Sequence, residues 1–183
     1  PNNPAGWTLS RAEQAEILAH CRQTGTWVLA DEVYERLYYE TDTANGCAPS
    51  FLDVAEPDDR LVVVHSFSKS FLMTGWRLGW LVMPPSMTHH MGKLVEFNTS
   101  CTSVFAQRAG IAALQHSDEI TPRVVAHLQQ CRDTLVPLLQ ALLDNRSGPR
   151  QLHGLVLVPT RELAVQVGES IRKLAAHLPM PVK

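Results

Sequence analysis

The chain has 183 residues, 45% of them hydrophobic, and a formal net charge of -2 at pH 7. That length suits one domain with its own core, and so small a net charge gives no global electrostatic case for binding nucleic acid or a membrane surface. Cys21, Cys47, Cys101 and Cys131 form neither a CxxC pair nor a Cys/His ligand spacing, which argues against a zinc site and a disulfide framework and leaves reduced thiols as the expectation.

Pro1-Asn2-Asn3-Pro4-Ala5-Gly6 is turn chemistry, and the lack of an initial methionine leads us to expect a piece of a longer protein. Ser10-Arg11-Ala12-Glu13 is a capping box that opens a helix to about Gln23. Ile17, Leu18 and Cys21 share one face of it, and Gly25 is its stop. Trp27-Val28-Leu29-Ala30 reads as a buried strand ending at Asp31, with Glu32-Val33-Tyr34 and an aromatic turn through Tyr38 and Tyr39 after it. Residues 41–60, holding Asn45-Gly46, Pro49 and Pro57, are expected to be loop. Leu61-Val62-Val63-Val64 is a second buried strand, and it delivers Ser66-Phe67-Ser68-Lys69. Arg77 to Val82 reads as a further strand, stopped by Pro84-Pro85.

Helical periodicity then covers about residues 86–97, 103–116 and 121–143, with Pro137 placed to kink the last of these. His89 and His90 are neighbours on a helix and so face apart, a poor metal pair. The alternation of helix and strand is an α/β pattern. No signal-peptide pattern and no apolar run of bilayer length occurs, so a cytoplasmic protein with no membrane partner is expected.

The pattern breaks near Asp144-Asn145-Arg146-Ser147-Gly148-Pro149. Leu155-Val156-Leu157-Val158 is a new apolar strand, and Pro159-Thr160-Arg161-Glu162 opens a helix to about Leu178. Residues 1–149 carry 11 Lys and Arg against 16 Asp and Glu, while residues 150–183 carry 5 against 2, a change of sign. We therefore expect a main segment at 1–143, a junction at 144–153 and a strand–helix tail at 154–183.

The chemistry gathers at strand ends, where open α/β sheets place their ligands. A buried or half-buried Lys69 can lose its proton through desolvation and attack a carbonyl. Two hydroxyls, Ser66 and Ser68, and Arg77 eight residues beyond the lysine suit a phosphate. A carbonyl-capturing amine beside a phosphate clamp is what pyridoxal phosphate requires. Asp31 at the neighbouring strand end can keep a pyridine nitrogen protonated, and Tyr34 and Asn3 can donate to a ring oxygen. Each residue also has a plain structural use: Asp31 as a cap, Tyr34 as a core aromatic, Asn3 in a turn, Arg77 and Lys69 as solvated cations.

Taken together, Asn3-Pro4-Ala5-Gly6, Asp31-Glu32-Val33-Tyr34, and Ser66-x-Ser68-Lys69 with Gly75-x-Arg77-x-Gly79 resemble the class I/II aminotransferases of the aspartate aminotransferase type (fold type I) in order and spacing. The resemblance covers about residues 1–143. Position 5 is more often threonine in that family, a departure that leaves Asn3 untouched. The resemblance implies part of a large domain, about three of the seven strands of its sheet, with a long uncovered edge. It implies that Lys69 joins pyridoxal phosphate as a Schiff base and then moves the proton between substrate and cofactor carbons. Asp31 would hold the pyridinium, Tyr34 and Asn3 the phenolate oxygen, and Ser66 and Arg77 the phosphate, with Ser68 assisting. The implied reaction exchanges an amino group between an amino acid and a 2-oxo acid in a homodimer.

The family's upstream phosphate loop, its ring-stacking aromatic residue and its substrate-carboxylate arginine have no counterpart here. The chain is therefore expected to be an incomplete, weakly active or inactive fragment. A fold type I lyase or decarboxylase, or a non-enzymatic chimeric remnant, is the alternative. Residues 155–167 resemble instead the RNA-contacting strand-to-helix motif of DEAD-box helicases, in which Thr160 and Arg161 would face the RNA backbone. No GKT or GKS phosphate loop and no Asp-Glu-Ala-Asp run accompanies it, which excludes ATP hydrolysis, and no nucleic-acid partner is expected.

Overall fold

The computed structural model describes residues 1–3, 5–40, 46–144, 158 and 161–174. The chain divides into two units, one made of Pro1 and Trp7–Ala126, the other of Asn2–Gly6 and His127–Lys183.

In the first unit, helix α1 (Arg11–Thr24) starts as its capping box dictates. Ser10 Oγ accepts the Glu13 N–H at 3.3 Å, and the Glu13 carboxylate accepts the Ser10 N–H at 2.7 Å. It ends at Gly25, whose φ of 69° is the left-handed conformation a helix stop needs. Leu18 is buried and Cys21 half-buried, but Ile17 is exposed. The third buried position is Gln14, one turn before Leu18, whose amide donates to the Pro49 carbonyl at 3.0 Å. The buried stripe is therefore 14, 18 and 21, which is helical spacing with a polar residue at its head.

Three strands form one mixed sheet in the order β1-β2-β3. Strands β1 (Val28–Asp31) and β2 (Leu61–Ser66) run parallel, from Val28↔Leu61 to Asp31↔Val64. Strand β3 (Gly79–Val82) returns antiparallel to β2, from Val63↔Val82 to Ser66↔Gly79. Central β2 alternates, with Leu61, Val63 and His65 buried and Val62, Val64 and Ser66 half-buried. Strand β1 corrects the expectation of full burial: Ala30 is buried but Leu29 is 73% exposed. A four-residue apolar run does not distinguish one-faced from two-faced burial. β3 is also shorter than expected, because Arg77 takes a φ of 51°, outside extended backbone.

Gly79 is required where it stands, since a Cβ there would come within 2.6 Å of the His65 carbonyl oxygen. Ala30, Phe51, Leu61 and Val63 form one apolar cluster, and Phe67, Phe71, Met73 and Ala113 another. The expected loop contains a 3₁₀ turn at Phe51–Asp53, while residues 41–45 lie outside the described residues. Helices α3 (Thr88–Thr99) and α4 (Val104–Gln115) follow, α4 meeting Leu78 and Phe67 at Gly110. Helix α5 (Ser117–Asp144) begins earlier than its periodicity suggested and continues through Pro137.

In the second unit, the Asn2 carbonyl accepts the Gly6 N–H at 2.8 Å and Asn2 Oδ1 accepts the Ala5 N–H at 3.3 Å, the expected turn. Helix α6 spans Arg161–Leu174. Residues 145–157, Thr160 and the helix end expected near Leu178 lie outside the described residues. Among the described residues no helix is long and apolar enough to cross a membrane.

Candidate functional site

Because β1 and β2 are parallel, their carboxyl ends share one edge. The Glu32 N–H donates to the Val64 carbonyl at 3.0 Å and carries the pairing past Asp31. Asp31 Oδ1 accepts the Val33 N–H at 3.3 Å, which bends the chain out of the strand. Two further turn bonds, Glu35 N–H to the Glu32 carbonyl at 3.1 Å and Leu37 N–H to the Tyr34 carbonyl at 2.9 Å, form the segment that holds half-buried Tyr34.

At the end of β2, Ser66 caps the one-turn helix α2 (Phe67–Ser70) by accepting the Ser68 N–H at 3.0 Å. Its hydroxyl reaches the Leu78 carbonyl at 3.5 Å. Lys69 Nζ lies 5.8 Å from the centroid of the Tyr34 ring, within cation–π range. The fold thus brings Asp31, Tyr34, Ser66, Ser68 and Lys69 to one sheet edge.

Two expectations are altered. Lys69 is exposed rather than buried or half-buried. In the single turn of α2, Phe67, Ser70 and the following Phe71 take the inward positions, at 5%, 1% and 6% exposure, and the lysine takes the outward one. Asn3 belongs to the other unit, so its role in the site rests on the resemblance.

Arg77 enters at the same end, two residues before Gly79, which pairs with Ser66. Its guanidinium is exposed and donates to the Thr74 carbonyl at 3.0 Å. Leu72 and Arg77 have φ of 55° and 51°, and each such non-glycine residue stores on the order of 1–3 kcal/mol of strain. Strain held within eight residues of Lys69 marks a segment whose path is fixed by something other than local preference.

The alternation along β2 also buries a group outside the motifs, and the strand's period of two is the sequence signal for it. His65 continues the inward positions of Leu61 and Val63 and is 8% exposed. It stacks on Trp80 with centroids 4.8 Å apart, and its Nδ1 lies 3.7 Å from Glu35 Oε1.

Lys69 lines neither of two cavities of about 220 and 320 Å³, the first beside Leu18 and Asp59, the second beside Glu35, Cys47 and His65. Burial pushes the Cys47 thiol up, which disfavours its thiolate. No cluster of metal ligands occurs among the described residues.

At the opposite, amino ends of β1 and β2 the charges are paired. Arg22 Nε and Nη2 donate to Asp59 Oδ1 and Oδ2 at 2.7 and 2.6 Å. The Glu56 N–H donates to Asp59 Oδ2 at 2.7 Å. The Arg22 hydrogen bond, above all, holds the Asp59 carboxyl below its usual range.

The sequence profile of the family described as aminotransferase class I and II matches residues 1–172. A probable N-acetyl-LL-diaminopimelate aminotransferase of Bacillus subtilis is 35% identical over 114 residues, 62% of this chain and 27% of that protein. An aspartate aminotransferase of Thermotoga maritima is 35% identical over 115 residues, 63% of this chain and 29% of its own length. The crystal structure of an aspartate aminotransferase from Thermotoga maritima superposes with a TM-score of 0.67 at 30% identity, over 78% of this chain and 36% of that one. The Thermus thermophilus aspartate aminotransferase with maleate gives 0.69 at 28% identity over the same shares, 78% and 36%. The chain spans about a third of the length of these relatives.

Proposed function

Since the chain belongs to the class I and II aminotransferases, a family that uses pyridoxal phosphate, we propose that its first unit is the cofactor-anchoring part of an enzyme exchanging an amino group between an amino acid and a 2-oxo acid. The observation that carries this reading is the parallel register Asp31↔Val64 together with the Lys69 amine 5.8 Å from the Tyr34 ring. A carboxylate, a phenol, a hydroxyl and an accessible amine at one sheet edge fit the cofactor's ring nitrogen, ring oxygen, phosphate and carbonyl.

Bound there, pyridoxal phosphate supplies an electron sink for the substrate's α-carbon. Asp31 keeps a proton on the ring nitrogen by its negative charge. The Tyr34 hydroxyl donates to the ring oxygen; for the Asn3 amide, the same role rests on the family resemblance alone. The Ser66 hydroxyl, with Ser68 beside it, and the planar fork of Arg77 hold the phosphate. Lys69 Nζ accepts a proton from the substrate's carbon and returns it, a role that needs an accessible amine on a short, fixed turn.

The charge reversal near residue 150 supports a separate origin for residues 154–183, with a junction at 144–153. The family match runs on through this stretch to residue 172. Genomic sequencing across the junction tests the division, and an unbroken aminotransferase reading frame there overturns it. An incomplete site of this kind is expected to bind cofactor weakly and to turn over little or nothing by itself.

Incubation with pyridoxal phosphate, borohydride reduction and peptide mapping test the cofactor reading. The expected result is a stable adduct on Lys69 that disappears in Lys69→Ala. An adduct spread over Lys93, Lys173 and Lys183 overturns it.

A further inference from the structure

One buried group has no part in the chemistry above. Nδ1 of His65 is buried without a hydrogen-bond partner. Its ring lies nearly parallel to Trp80, at 18°, and Trp80 is the residue it faces across β2 and β3. The distance of 3.7 Å from Nδ1 to Glu35 Oε1 is within ion-pair reach and longer than a hydrogen bond. Glu35 is also 3.4 Å from Arg36 Nε, and its Oε2 is buried with no hydrogen-bond partner. Both residues adjoin the site: Glu35 follows Tyr34, and His65 precedes Ser66.

We infer that His65 is a positioning residue for Lys69, a brace that holds Glu35, and with it the Tyr34 turn, against the strand end carrying Ser66 and Lys69. The turn is tied to β2 at its start by the Glu32 N–H bond to the Val64 carbonyl. The Glu32 carboxylate leads away from β2, accepting from the Ser50 hydroxyl at 2.6 Å and the Phe51 N–H at 2.9 Å. Beyond Glu32, the side-chain contact between Glu35 and His65 is a further tie from the turn to β2, beside the Arg36 guanidinium 5.7 Å from the Phe71 ring.

Trp80 fixes the plane of the imidazole and so the direction of Nδ1. Nδ1 is buried with no hydrogen bond, and Glu35 Oε1 lies 3.7 Å from it, so drawing the carboxylate away would leave a buried nitrogen further from a polar partner. The spacing so held is the one that sets the Lys69 amine over the Tyr34 ring. The inference rests on the reading of Lys69 as the cofactor-capturing lysine and adds what supports it.

Three substitutions separate the parts of the brace. His65→Phe keeps a ring against Trp80 and removes Nδ1; His65→Asn keeps a polar nitrogen close to the Nδ1 position and removes the ring. Glu35→Gln keeps the shape and removes the charge. The rate of borohydride-fixed labelling of Lys69 by pyridoxal phosphate is measured in the full chain. We expect it to fall about fivefold in His65→Phe and in Glu35→Gln, with no further fall in the double variant. His65→Asn is expected to return it to within about twofold of the natural chain. A natural rate in His65→Phe, or losses that multiply in the double variant, overturns the inference.

Should His65→Phe not fold, by circular dichroism, the Glu35→Gln rate decides by the same criterion. Acetic anhydride labelling of Lys69 relative to Lys93 on the same samples needs no cofactor. If pyridoxal phosphate never labels Lys69 in the natural chain, the cofactor reading fails and the brace is judged on this ratio. A change of about threefold or more between the natural chain and His65→Phe supports it, and an unchanged ratio overturns it.

Discussion

The two ends of the β1–β2 pair are built from the same kinds of residue and treat them in opposite ways. At the amino ends, Asp59 meets Arg22 in a two-bond fork, with the carboxylate side chain only 7% exposed. At the carboxyl ends, Asp31 bonds to its own turn through Val33, and Lys69 and Arg77 are exposed. Parallel pairing aligns both ends equally well. What differs is whether the charged groups are satisfied by one another or held apart and presented outward. The amino end fastens α1 to the sheet; the carboxyl end leaves Lys69 and Arg77 open to solvent.

This contrast is sharpest where apolar packing lies directly under the site. Phe67 is 5% exposed and meets Phe71 and Trp80 with centroids 5.2 and 5.1 Å away. Phe67→Ala is expected to cost about 3–5 kcal/mol in urea unfolding and to disturb the carboxyl end first. Hydrogen exchange that fell evenly over both ends would break the comparison.

Asp59→Asn attacks the other end. The folded Asp59 carboxyl lies below its unfolded value, so its contribution is fully present above the unfolded pKa of about 3.9. It is lost as pH falls through the lower folded value. The natural chain should therefore exceed Asp59→Asn in urea midpoint at pH 7, and the gap should close in acid. A gap independent of pH would remove the ion pair from the account.

Gly79→Ala follows, at about 1–3 kcal/mol, because its Cβ meets a backbone oxygen that has nowhere to move. Thermal melting gives the size, and an unchanged midpoint would mean that β2 and β3 are not paired at Ser66↔Gly79. Gly25→Ala is expected to cost roughly 1–2 kcal/mol, from the left-handed backbone at φ 69°. The smallest effect belongs to Lys69→Ala, which should leave the urea midpoint within about 0.5 kcal/mol of the natural chain because the side chain is exposed. A large loss there would make Lys69 a structural residue.

Much of this was legible in the chain of residues. The Ser10–Glu13 capping box and the Gly25 stop are local chemistry, and both stand as read. The strand ends carrying Asp31 and Ser66 follow from short apolar runs bounded by polar residues. Less legible was anything decided by which face of an element is covered. Leu29 and Ile17 read as core and are exposed; Gln14 and His65 carry polar side chains and are buried. Hydrophobicity names candidates for burial, while the neighbours that bury them come from elsewhere in the sequence.

The sequence alone determined the family and the α/β class, and it named the residues proposed for the cofactor, because motif spacing and caps are properties of neighbouring residues. Only the tertiary structure decided that β1 and β2 are parallel and β3 antiparallel, which places Asp31 and Lys69 at a common edge. It alone decided that Lys69 is exposed and that His65 lies between Trp80 and Glu35. Register and burial depend on contacts between residues far apart in the chain, and no local pattern encodes them.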